Sequence, residues 1–90
     1  MTWTDDDVRA ALDGDAPVEA AEAVAAAAGF PGEGLTEDGR EWAETHGVPP
    51  DELLEAALRR VRDLCAEETD EATLGELRDL RFRLGDALAR

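Results

Sequence analysis

The stretch DELLEAALRRVRDLCAEETDEATLGELRDLRFRLGDALAR, Asp51 to Arg90, decides the fold. Leu54, Leu58, Val61, Leu64 and Cys65 recur at helical spacing and place one apolar side on a first rod. Thr69 and Asp70 then turn the chain. Leu77, Leu80, Leu84 and Ala87 follow at alternating intervals of three and four, joined by Leu74 and Leu88, which is a short heptad seam on a second rod. Two amphipathic helices joined by so short a turn pack antiparallel, so residues 49–90 are predicted to form a helical hairpin. Glu55 with Arg59, Arg59 with Asp63 and Asp79 with Arg83 stand at i,i+4 distance along it. Such pairs solubilise more than they stabilise, at about 0.2–0.5 kcal/mol each.

Working back toward Met1, the punctuation defines three shorter helices. Pro49, Pro50 and Asp51 open the hairpin, and Gly47 closes a helix capped by Thr36 and running to His46, with Leu35, Trp42 and Ala43 facing inward. Gly32, Glu33 and Gly34 form the longest loop signal. Before them, Asp15 and Pro17 open an alanine-rich helix whose apolar stripe is Val18, Ala21, Val24, Ala25 and Ala28, ended by Gly29, Phe30 and Pro31. Small side chains there let a neighbouring helix approach closely. Thr4 reads as the N-cap of a first helix ending at Gly14, with Asp5, Asp6 and Asp7 at the positive end of its dipole and Trp3 and Val8 in hydrophobic-staple positions. The expected architecture is all-α, a single small domain of about five helices over 1–90, with an acidic three-helix unit (1–48) beside the hairpin (49–90).

Charge is distributed unevenly along this architecture. Fifteen acids and two arginines lie between Met1 and Ala56, against eight acids and seven arginines from Ala57 onward, giving balances of −13 and −1. The total is −14 over 90 residues, with no Lys, Ser, Asn, Gln, Ile or Tyr. A GC-rich genome and adaptation to molar salt both produce this composition, and the two act together in haloarchaea. The charge repels nucleic acid and anionic lipid alike, so neither direct nucleic-acid binding nor membrane association is expected. No apolar run approaches membrane-spanning length, and the start lacks the basic and apolar regions of a signal peptide. A cytoplasmic location is expected.

Chemistry-bearing residues are few. His46 and Cys65 are single and Ser, Lys and Tyr are absent, so candidates for covalent or acid–base chemistry are few, and a Cys–His dyad is formally possible. Cys65 falls on the apolar side of its helix, which favours packing. His46 follows Trp42 by one turn near a helix C-terminus, where capping and stacking account for it. The carboxylates near it lack metal-ligand spacing, and Asp13-Gly14-Asp15 has glycine at the wrong place for a calcium loop. No enzyme activity, cofactor or metal is expected.

Ala25, Gly29 and Leu35 have the four-then-six spacing of small residue, turn glycine and apolar residue that helix-turn-helix units use. The segment Leu35-Thr36-Glu37-Asp38-Gly39-Arg40 resembles one common in winged-helix regulators, which implies a recognition helix over the third element. That helix, however, offers Glu37, Asp38, Glu41 and Glu44 around Arg40, where DNA readers place cations and amides. The leading expectation is therefore a noncatalytic protein–protein interaction module or small adaptor. Its partner is another protein or a second copy, as a homodimer through the hairpin residues Leu54, Leu58, Val61, Leu77, Leu80, Leu84 and Leu88. A transcription-associated regulator on a helix-turn-helix or winged-helix-like scaffold is the alternative, and a DNA mimic built on the dense carboxylates is a more remote one.

Overall fold

A computed structural model describes residues 3–14, 16–32 and 35–89. It is all-helical: α1 (Asp5–Asp13), α2 (Pro17–Ala27), α3 (Glu37–His46), α4 (Asp51–Glu67) and α5 (Glu71–Ala89), with no strand among the described residues. The expected caps account for most of the boundaries. At α1 the Thr4 hydroxyl accepts from the Asp7 backbone N–H (3.2 Å), while the Asp7 carboxylate accepts from the Thr4 N–H (3.0 Å), a reciprocal capping box. The Thr36 hydroxyl accepts from the Gly39 N–H (3.1 Å) and starts α3. The end of α2 is a full Schellman closure: Gly29 takes φ +99°, the Gly29 N–H donates to the Ala26 carbonyl (3.0 Å) and the Phe30 N–H to that of Ala25 (2.9 Å). Gly47, at φ +78°, ends α3. Ala16 occupies the N-cap position of α2 without a side-chain bond, and Asp15, Glu33 and Gly34 lie outside the described residues.

The Asp70 carboxylate caps α5, accepting from the backbone N–H (3.0 Å) and hydroxyl (2.9 Å) of Thr73. The backbone bond is the larger of two influences holding Asp70 below the usual aspartate range, and the hydroxyl bond adds to it. A lowered folded value means this stabilisation is present above the unfolded value and lost as pH falls through the folded one. The melting-temperature gap between wild type and Asp70→Ala, followed by circular dichroism, is expected to be widest near neutral pH and to shrink on acidification. A gap that widens toward acid would contradict the cap.

α2 is the axis of the molecule, packing against α1, α3, α4 and α5. This departs from the single stripe expected for it. Ala20, Ala21, Glu22, Ala23, Val24 and Ala25 are buried consecutively, while Val18, expected inside, is 38% exposed. A helix surrounded by four others has no solvent face along its middle, so a stripe drawn at 3.6-residue period describes only part of its buried surface. Alanine suits that position because a short side chain lets a second backbone come close. The helix comes close to α3 at Gly39, where an added Cβ would lie 3.2 Å from the Ala23 Cβ and 3.1 Å from the Leu35 Cδ1. The hairpin α4–α5 turns at residues 68–70, and one apolar cluster links Val8 and Leu12 of α1, the centre of α2, Trp42 of α3 and the inner faces of α4 and α5.

Candidate interaction surface

The leucine seam points into this shared core. Leu54, Leu58, Val61, Leu77, Leu80 and Leu84 are buried within the chain itself, and Leu88 is partly buried against the same cluster. The structure therefore gathers all seven residues read from the sequence, but as intramolecular packing. Beyond the edges of Leu58 and Leu88, a surface open to a partner is built from other side chains.

Among the described residues, three large apolar side chains are exposed: Val18, Val48 (79%) and Phe82 (69%). Phe82 stands two residues from both Leu80 and Leu84, which at 100° per residue places it on the opposite side of α5 from the core. It borders a depression of about 330 Å³ shared with Leu58, Arg62, Arg78, Arg81, Gly85 and Asp86. A second depression adjoins it, formed by Glu55, Leu58, Arg59, Arg62 and Leu88. The outer face of the hairpin thus combines an exposed ring, the edges of two leucines and four exposed arginines in a chain whose other surfaces are overwhelmingly acidic. Phe82 was legible in principle, as the lone large apolar residue on the outer side of the fifth helix.

Arg83, on the same helix as Arg78 and Arg81, turns inward instead. Its guanidinium forms a two-pronged bridge to the buried Glu22 carboxylate (2.8 and 3.1 Å), bonds Asp79 (2.9 Å) and donates to the Phe30 carbonyl (3.1 Å). The Glu22 hydrogen bonds are the main influence raising Arg83 above its ordinary value, against the opposing effect of burial. Gly32 lies against the same guanidinium, where a Cβ would collide with it. The cluster fixes α2, the start of the α2–α3 loop and α5 to one another. Of the three i,i+4 pairs expected on the hairpin, Asp79–Arg83 forms, whereas Glu55–Arg59 and Arg59–Asp63 are not in ion-pair contact.

The remaining candidates take structural positions. His46 stacks on Trp42 with ring centroids 4.7 Å apart, and its Nε2 lies 2.8 Å from Asp5 of α1, so it ties the end of α3 to the start of α1. Cys65 is half-buried against the core. Among the described residues no three His, Cys, Asp or Glu side chains converge in a way that holds a metal ion, and no helix is long and apolar enough to cross a membrane. The helix-turn-helix spacing maps onto buried Ala25, left-handed Gly29 and half-buried Leu35, while Glu37, Asp38, Arg40, Glu41 and Glu44 form the exposed side of α3. No protein-family model matches the chain, and no curated protein or solved structure resembles it significantly.

Proposed function

We propose that the protein is a noncatalytic protein–protein interaction module that docks through the outer face of its C-terminal hairpin. The observation that carries this reading is Phe82, a large ring exposed opposite the core and set among Arg62, Arg78 and Arg81. Aromatic and arginine side chains dominate binding hot spots: a ring covers a large area with few rotamers to freeze, and a guanidinium presents a planar fork of donors that also stacks on rings. Burying a ring there would remove apolar surface from water without touching the core. The test is affinity capture from the native host at native salt, with wild type, Phe82→Glu and Val48→Glu as baits. Wild type and Val48→Glu are expected to retain the same bound protein, and Phe82→Glu to lose it. An identical set on all three baits overturns the assignment.

The alternative, a transcription-associated regulator, is supported by the left-handed Gly29 between α2 and α3 and by their close approach at Ala23 and Gly39. Against it stands the acidic outer side of α3, which offers a phosphate backbone repulsion in place of counterion release. Sub-micromolar binding of duplex DNA at physiological salt would promote this alternative.

Adaptation to high salt belongs to the same proposal. Crowding −13 of the −14 charges into residues 1–56 sets carboxylates against one another on a small surface, and salt screens that repulsion. The protein is expected to melt at a higher temperature in molar KCl than in dilute buffer. A melting temperature that does not change between those conditions leaves genomic base composition as the reason for the acidity.

A further inference from the structure

Along the outward ridge of α5, which begins at Glu71, the exposed residues Gly75, Arg78, Phe82, Asp86 and Ala89 follow one another. Their intervals are three, four, four and three, a spacing symmetric about Phe82. The chemistry is matched across that centre. Arg78 and Asp86 stand one helical turn to either side with opposite charge, and Gly75 and Ala89 stand two turns out with side chains small enough for close approach. An added Cβ at Gly75 would meet nothing within 4 Å, so the space above that end is open.

We infer that the occupant of this face is a second copy of the chain, with α5 packed antiparallel on α5 about a two-fold axis at Phe82. In that arrangement Phe82 meets Phe82, Arg78 of each copy meets Asp86 of the other, and Gly75 lies opposite Ala89. An isologous contact requires such self-complementarity, residue i meeting j and j meeting i. A parallel arrangement sets Arg78 against Arg78 and Asp86 against Asp86, so like charges exclude it. Long-range charge selects the same face. Residues 57–90 are nearly neutral, whereas any contact through residues 1–56 brings two strongly acidic surfaces together. With 19 residues, α5 offers a ridge about 28 Å long, enough for all five layers.

This inference rests on the proposal that the hairpin's outer face is a docking surface, and its test separates the two. Self-association is measured by sedimentation equilibrium at about 0.15 M salt, where a screening length of about 8 Å mutes repulsion between the acidic halves and leaves contact charges effective. Arg78→Asp and Asp86→Arg each place two like-charged pairs in the dimer and are expected to weaken it at least about tenfold. Combining them restores both pairs with the charges exchanged and returns affinity to within about threefold of wild type. Within one chain these residues are eight positions apart, so a rescue of this kind reports contact between copies. Circular dichroism of each variant verifies that its helices are intact. Singles that weaken association without rescue in the double overturn the antiparallel register. Wild type that stays monomeric at high micromolar concentration overturns self-docking; if Phe82-dependent capture of a different protein persists, the docking surface itself stands.

Discussion

Glu22→Ala is expected to lower stability by about 3–5 kcal/mol, because it leaves the inward-facing Arg83 guanidinium without the carboxylate that holds two of its N–H groups. A domain of this size has about 5–15 kcal/mol in total. Each kilocalorie corresponds to about 4–8 °C, so the melting temperature should fall by more than about 10 °C. The paired replacement Glu22→Leu with Arg83→Met removes both charges together and is expected to recover most of the loss. What it does not recover reports the bonds from Arg83 to the Phe30 carbonyl and to Asp79. Thermal melts of the single and double variants decide the matter. Equal losses in both would mean that the bridge contributes through shape alone.

The second large effect separates the inner from the outer side of α5. Leu84 is fully buried in the chain's own core, so Leu84→Glu inserts an unpaired carboxylate among apolar side chains and should abolish the helical fold. Leu84→Ala should cost about 2–5 kcal/mol. Phe82→Glu, two residues away and exposed, should shift stability by no more than about 0.5 kcal/mol. Circular dichroism on the three variants provides the comparison. A helical, well-folded Leu84→Glu protein would place the leucine seam at an interface between molecules.

These contrasts mark how far the residues alone carried the fold and the site. Capping side chains and left-handed glycines act over three or four neighbouring positions, so Thr4, Thr36, Gly29 and Gly47 set the helix limits locally and were legible without any tertiary knowledge. The leucine positions on α4 and α5 were legible as one apolar side each, but periodicity states only that a side is buried and not against what. Whether Leu80 and Leu84 cover their own core or a second chain depends on how much apolar surface the first three helices present. That quantity was hidden in the central position of α2, because alanine carries little hydrophobic signal while permitting close packing on every side. The Glu22–Arg83 bridge joins positions 61 apart in sequence and left no trace in any local spacing. Glu22 resembled one more surface acid in an acidic segment. Phe82 was visible as a residue, and its significance emerged only once the opposite side of α5 was assigned to the core.

The central claim is that docking occurs at the outer face of the hairpin. A photoreactive benzophenone side chain placed at position 82, and separately at the still more exposed position 48, tests it directly under native salt. The account expects position 82 to cross-link efficiently to a second polypeptide, either another copy or a different protein, and position 48 to give little. Cross-links that arise at position 48 with none at position 82 would contradict it.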